Sequence, residues 1–137
     1  MMGFGKGRNM LCRNTALLTC LFALAACTTV PIYTVTDAPV VVRAGKQASA
    51  DDVRDAILRA GRRLGWQMVP GERGVINAKL SLRTHVAVVD VRYSATSYSI
   101  VYRDSTNLDH SGDQIHKNYN GWIQNLDRDI RNELLYY

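Results

Sequence analysis

The chain has 137 residues, of which 17 are basic and 12 acidic, giving a net charge of +5. This length suits a single folded domain. The basic excess is uneven, because no acid precedes residue 37 whereas three basic residues lie within the first 13. Without that leading segment the net charge falls from +5 to +2. So small an excess argues against a nucleic-acid partner.

Residues 1–26 have the three zones of a secretory signal peptide. Lys6, Arg8 and Arg13 form a basic lead, residues 15–26 are almost continuously apolar, and the run ends in small residues. A transmembrane helix would need about 20 apolar residues. Because only 12 residues make up this run, we predict a leader that is removed. Met1, Met2 and Met10 all remain open as the start.

The end of this leader, Leu24-Ala25-Ala26-Cys27, resembles the lipobox of bacterial lipoproteins. The resemblance implies a diacylglyceryl group on the Cys27 thiol, cleavage before Cys27 and acylation of the freed amine. Thr28 after the cysteine resembles lipoproteins sorted to the outer membrane. An ordinary signal peptide with an incidental cysteine is the alternative. Since the other two cysteines leave with the leader, no internal disulfide is expected.

The next segment, residues 27–39, contains two prolines and no helical pattern. We interpret it as the lipidated cysteine and a flexible tether of about 20 Å. Residues 40–137 would then form one periplasmic domain. A short edge strand is expected at residues 39–43.

A first helix is predicted from residue 50 onward. Ser49 and Asp52 have the spacing of a capping box. Gly65 is placed to end the helix in a left-handed conformation, with Trp66 returning apolar surface to it. Four apolar residues recur at helical spacing and form one stripe: Val53, Ile57, Ala60 and Leu64.

Four runs with alternating apolar residues follow, at residues 66–69, 75–82, 87–93 and 98–102. The turns "PGERG", "RTH" and "SATS" separate them. Alternation with one apolar face is typical of antiparallel strands, so we predict a four-stranded meander.

A second helix is predicted from a capping signal at Ser111 and Gln114. We expect Gly121 to allow close approach to the sheet beside Trp122, which would pack on the apolar sheet face. The apolar stripe of this predicted helix comprises Ile115, Tyr119, Trp122, Leu126, Ile130 and Leu134. The predicted fold class is therefore α+β, with both helices packed on one face of the meander.

Two segments of the domain, "YSIVYRDSTNL" and "IHKNYNGWIQNL", look similar to small proteobacterial lipoproteins of unknown function. The similarity covers roughly residues 50–135 and includes "RTHVA". It supports the fold and an envelope location. It implies no catalytic residue and no cofactor.

One cluster of residues could bind a metal ion: Asp109, His110, Asp113 and His116. Asp113 and His116 would share a helix face, but no clear third anchor exists elsewhere. We therefore predict no metal site.

Catalytic roles are also weakly supported. Asp104 and Ser105 with a histidine could form a hydrolase triad, but no G-x-S-x-G turn is present. His85 and His116 are better explained as capping or network residues. We predict that the protein is not an enzyme and has no cofactor.

Four basic residues are predicted on the polar sheet face: Lys79, Arg83, Arg92 and Arg103. They could be a solvated face, in which exposed ion pairs contribute little. Alternatively they could dock phosphate groups of a small ligand or a lipid head group. The preferred prediction is a lipid-anchored, non-enzymatic module in the outer membrane that binds an envelope component, with anionic-ligand binding as the alternative.

Overall fold

The computed structural model describes Gly3 and residues 28–137, which fold into two helices and seven strands. The elements are, in chain order, β1 (Thr29–Pro31), β2 (Val35–Pro39), α1 (Ala50–Arg63), β3 (Gln67–Pro70), β4 (Val75–Leu82), β5 (His85–Tyr93), β6 (Ser97–Thr106), β7 (Gln114–His116) and α2 (Lys117–Leu134). The α+β class predicted from the sequence is confirmed.

The main sheet has five antiparallel strands in the order β2-β6-β5-β4-β3. The predicted meander is present as β3 to β6, in which each strand pairs with the next. The prediction of four strands was wrong by one, because β2 adds to the free edge of β6. A separate two-stranded sheet joins β1 to β7.

The segment predicted as a tether is folded. Residues 29–31 pair with β7, and residues 35–39 form β2 of the main sheet. The tether prediction took the two prolines as a sign of a flexible segment. Pro31 and Pro39 are each the last residue of an edge strand, where a missing N–H donor is tolerated.

The expected strand at residues 39–43 is displaced toward the N-terminus. The strand itself is Val35–Pro39, and the chain then continues beside the β5–β6 turn, where the Val40 amide donates to the Thr96 carbonyl at 2.9 Å. Asp37 has a φ of +46°, and the register of β2 against β6 shifts between Val35 and Ala38. Because of this irregularity, the buried side chains of β2 do not alternate as they do in a regular strand, so the sequence pattern does not predict β2.

The apolar face of the sheet is completely covered. Fully buried side chains alternate along the three central strands, and they belong to Ile76, Ala78, Leu80, Ala87, Val89, Val91, Tyr98 and Ile100. They share one cluster with the buried residues of both helices. The predicted inward side chains Ile76, Ala78 and Leu80 belong to this core, whereas Leu82, predicted on the same face, is exposed at the end of β4. The buried residues of both helices cover this face, as predicted.

Helix α1 begins as predicted. The Ser49 hydroxyl accepts from the Asp52 amide, and the Asp52 carboxylate accepts from the Ser49 amide at 2.8 Å. Gly65 follows the helix with a φ of +84°, and the buried Trp66 donates its amide to the Gly61 carbonyl. Both predicted ends of this helix are confirmed.

Helix α2 begins later than predicted. Ser111 and Gln114 face each other across a tight turn with two backbone hydrogen bonds of 3.0 Å, and Gly112 has a φ of +60°. Residues 114–116 then pair with β1 as β7. His116 caps the helix, because its Nδ1 accepts from the Asn118 amide at 3.2 Å. The capping-box interpretation of this segment was wrong.

The buried stripe of α2 differs from the predicted one at two residues, since Ile115 belongs to β7 and Trp122 is replaced by its neighbour. Ile123, rather than Trp122, is fully buried, together with Tyr119, Leu126, Ile130 and Leu134. Trp122 is only partly buried at the margin of the core. Of the two helices described, neither is long and apolar enough to span a membrane.

Close approach occurs at Gly61, not at Gly121. A Cβ at Gly61 would lie 2.3 Å from the Met68 sulfur, whereas a Cβ at Gly121 would meet nothing within 4 Å. The prediction that Gly121 permits close packing was wrong. Gly61 is the residue that allows α1 to lie against β3.

These two glycines should respond oppositely to alanine. We expect Gly121→Ala to raise the free energy of unfolding by about 0.5–1 kcal/mol, the usual gain in a helix interior. Gly61→Ala should lower it by about 1–3 kcal/mol, because Met68 must move within a packed core. Urea unfolding of residues 28–137 would measure both, and a stabilised Gly61→Ala variant would contradict the assigned packing.

Candidate functional site

The four basic residues predicted on the sheet face do not form one site. Lys79 lies near the middle of β4, and Arg83 lies in the β4–β5 turn with a φ of +55°. Arg92 pairs with Val75 at the other end of the same two strands. At about 3.3 Å per residue, roughly 23 Å of strand separates Arg92 from that turn. No small ligand could contact both ends.

Arg103 is already occupied by neighbouring side chains. It is the extra residue of a bulge, since Tyr102 pairs with Val89 and Asp104 with Val88. Its guanidinium donates to Asn77 Oδ1 at 2.7 Å and to Asp90 Oδ1 at 3.3 Å. This part of the predicted face is a solvated cross-strand network, as one of the two interpretations proposed.

Arg92 instead lines a surface cleft of about 520 Å³ at one end of the sheet. Arg73 lines the same cleft from the β3–β4 turn, beside Gly74. Neither arginine forms an ion pair within the part of the chain that the structure describes. Two free guanidinium groups in one concavity can bind a small anion through charge-assisted hydrogen bonds.

The other wall of the cleft is polar. The Asp37 amide donates to Ser99 Oγ at 2.9 Å, and the Asp37 carboxylate accepts weakly from the same hydroxyl. Ser94 and Ser97 line the cleft from the β5–β6 turn. Because one carboxylate faces two arginines, the cleft keeps an excess of one positive charge.

The sequence prediction of a basic sheet face does not include Arg73, although the structure places it in the cleft. In an up-and-down meander, alternate connections lie at the same end of the sheet, so the β3–β4 and β5–β6 turns must be neighbours. That rule alone could have placed Arg73 in "PGERG" next to Arg92. The sequence pattern along each single strand does not contain this information.

All three histidines lie toward the opposite end of the sheet. The His110 ring stacks on Tyr102 with centroids 4.5 Å apart, and the His85 and His116 rings are 6.4 Å apart. Within residues 28–137, no group of three or more metal-binding side chains has a suitable arrangement. His116 has a structural role instead, because its Nδ1 caps α2.

Ser105 is hydrogen bonded as a turn residue. Its hydroxyl contacts the Tyr102 hydroxyl at 2.9 Å, and its amide donates to Asp104 Oδ1 at 2.8 Å. Tyr119 packs edge-to-face on Tyr102, and its own buried hydroxyl has no hydrogen-bond partner in the described region. Burial raises the pKa of Tyr119, so this phenol stays protonated. Among residues 28–137, the side chain that the Ser105 hydroxyl contacts is a tyrosine rather than a histidine or a carboxylate.

Two polar contacts connect the core elements. The Tyr98 hydroxyl donates to the buried Asp127 carboxylate at 2.6 Å, and Arg131 pairs with the same carboxylate at 2.8 Å. Burial, with help from Asp127, raises the pKa of Tyr98. Between the helices, Glu133 accepts from Arg59 at 2.9 Å and from Arg63. The hydrogen bond from Arg59 lowers the pKa of Glu133 despite its burial.

The N-terminal junction is the remaining candidate. Cys27 itself lies outside the described residues, and Thr28 is the residue that follows it. The Thr28 carbonyl accepts from the Lys117 amide at 2.9 Å. Asn120 of α2 then donates to the Pro31 carbonyl and accepts from the Tyr33 amide, both at 2.9 Å. Residues 28–33 are therefore held against the start of α2.

Comparison with models of known protein families finds no match, and comparisons with curated proteins and with solved structures find none either. The similarity to small proteobacterial lipoproteins stays a prediction.

The Glu133 contacts generate a pH-dependent prediction. Glu133→Gln should lower the free energy of unfolding by about 1–3 kcal/mol at pH 7, because two hydrogen bonds to a charged acceptor are weakened. The pKa of Glu133 is lowered from 4.5 in the folded protein, so this stabilisation is present above about pH 4.5 and disappears as the pH falls through the lowered value. The difference between wild type and variant should shrink accordingly.

Urea unfolding at a series of pH values would measure this difference. Asp51→Asn is the control, because Asp51 is an exposed partner of Arg54 and should cost under about 1 kcal/mol. A difference for Glu133→Gln that stayed constant down to acidic pH would contradict the assigned ion pairs.

Proposed function

We propose that the protein is a lipid-anchored lipoprotein of the outer membrane, whose periplasmic domain is a non-enzymatic binding module. The observation that carries this proposal is the leader itself, in which a basic lead and an apolar run end at Leu24-Ala25-Ala26-Cys27. Cleavage before Cys27 would place the lipidated residue one peptide bond from Thr28, whose carbonyl accepts from the Lys117 amide of α2.

The contacts of the polar residues in the domain support a binding role over a catalytic one. Asp104, Ser105 and the histidines, the residues best suited to chemistry, are used in turns, stacking and a helix cap. Another envelope component is the partner that we favour. No nucleic-acid partner and no cofactor are part of the proposal.

Cys27 provides the direct test of anchoring. Cys27→Ala should abolish incorporation of labelled palmitate and normal processing, because Cys27 is the residue that would carry the acyl chains. Two such chains are what would make the membrane attachment stable. Cys20→Ala is the matched control, since Cys20 lies in the same leader and should be dispensable for labelling. Wild-type labelling of the Cys27→Ala variant would refute the proposal.

The Arg73 and Arg92 cleft supports a second candidate function, the binding of a small anionic group. The observation that favours it is the presence, in one cleft of about 520 Å³, of two arginines that pair with no acid among residues 28–137. A phosphate or a lipid head group would supply the same chemistry to this cleft. The predicted set of Lys79, Arg83, Arg92 and Arg103 contributes only Arg92 to this site.

Titration of residues 28–137 with inorganic phosphate, followed by NMR, would test the cleft. We expect shifts in residues around Gly74 and Ser97 that diminish with salt, because screening shortens to about 8 Å at physiological ionic strength. The double variant Arg73→Gln, Arg92→Gln should lose these shifts. The control Lys79→Gln, Arg83→Gln removes the same charge outside the cleft, and an equal loss there would contradict a specific site.

A further inference from the structure

We infer that the first half of α2 and the adjoining β1 lie directly against the phospholipid surface that holds the anchor. We call this area the α2 face. It is defined by the residues that line one shallow depression with a volume of about 570 Å³: Val30, Lys117, Asn118, Asn120, Gly121, Trp122, Gln124 and Asn125. The inference rests on the proposed lipidation of Cys27 and adds the orientation of the domain on the membrane.

The first argument is the length of chain available. One peptide bond joins Cys27 to Thr28, and consecutive Cα atoms are about 3.8 Å apart. The Thr28 carbonyl contacts the Lys117 amide at 2.9 Å. The start of α2 therefore lies within about 9 Å of the anchored residue. The head-group layer of one leaflet is of similar thickness, about 5–8 Å, so the helix start must reach the membrane surface.

The second argument is the rigidity of the junction. A flexible tether would let the domain tumble above the membrane, as the sequence first suggested. Instead, β1 pairs with β7, and the Ile32 amide donates to the Asp113 carbonyl at 2.8 Å. Asn120 binds both Pro31 and Tyr33. Six consecutive residues, 28–33, are thus held against β7 and α2, and no flexible segment separates this surface from Cys27.

The third argument is the charge of the α2 face. No Asp or Glu occurs from residue 114 to residue 126, whereas Asp127, Asp129 and Glu133 follow within the second half of the helix. The α2 face carries the cation Lys117 and amide side chains instead. Anionic phospholipids would repel acidic side chains at this distance, and they attract lysine. Within α2, the acids are confined to the half that leads away from the anchor, and the exposed Asp113 lies before β7, outside the α2 face.

The fourth argument is Trp122. Its ring is partly buried at the margin of the core and forms part of the α2 face. Tryptophan is favoured where one side of the ring meets apolar groups and the other meets the polar layer of a membrane. A membrane-facing position explains why a large aromatic residue lies beside, rather than within, the buried stripe.

Tryptophan fluorescence can test the orientation. The full lipoprotein would be reconstituted into vesicles of phosphatidylethanolamine and phosphatidylglycerol whose acyl chains carry bromine near the head group. Only two tryptophans are present, and Trp66 is buried at 3% exposure. We expect bromine to cause a loss of emission that is absent from the Trp122→Phe variant. Equal emission with and without bromine in the wild type would overturn the inference.

A matched control places tryptophan at the far end of α2. Tyr136→Trp in the Trp122→Phe background creates an exposed tryptophan about 25 Å along the helix from Lys117, which should not be quenched. Equal quenching at both positions would mean that the domain has no fixed orientation, which contradicts the inference.

A longer junction provides the final test. Ten Gly and Ser residues inserted between Cys27 and Thr28 would span about 15–20 Å and should reduce quenching of Trp122. Undiminished quenching would overturn the role of the short junction. Palmitate labelling and vesicle flotation of each variant separate the two proposals. An anchored protein with unquenched Trp122 refutes the orientation alone and leaves the α2 face for a protein partner, whereas an unlabelled protein refutes both.

Discussion

The structure depends on covering one apolar face of an antiparallel sheet. Fully buried side chains alternate along β4, β5 and β6, and two amphipathic helices pack over them. At about 25 cal/mol per Å² of apolar area, this burial is the largest favourable contribution to the fold. Laying α2 over the sheet also fixes Asn120 and β7, which in turn bind the N-terminal segment. The position of the proposed anchor is thus a consequence of core packing.

The two ends of the sheet have different properties. The junction with Thr28 lies near β7, whose His116 is next to His85 at the start of β5. The cleft with Arg73 and Arg92 lies at the other end of β4 and β5. An anchor at the first end would direct the cleft away from the membrane and toward the periplasm. The proposed anchoring and the proposed anion binding are therefore compatible on one molecule.

Several polar residues that the sequence offers as candidates for chemistry or binding stabilise the fold. His116 ends β7 and caps α2, and Ser105 with Asp104 stabilises the end of β6. Arg103 fills a bulge and joins three strands through Asn77 and Asp90. The arginine cleft and the α2 face are the two surfaces to which we assign binding roles.

The sequence by itself determined the local elements. The capping box of α1, the left-handed Gly65 and the alternation in β4 to β6 each depend on interactions within a few residues. Tertiary structure decided what depends on distant partners: the pairing of residues 29–39, the β7 interruption before α2, the burial of Ile123 in place of Trp122, and the meeting of Arg73 with Arg92. Short edge strands that contain proline have little intrinsic preference, so only the strand beside them defines them.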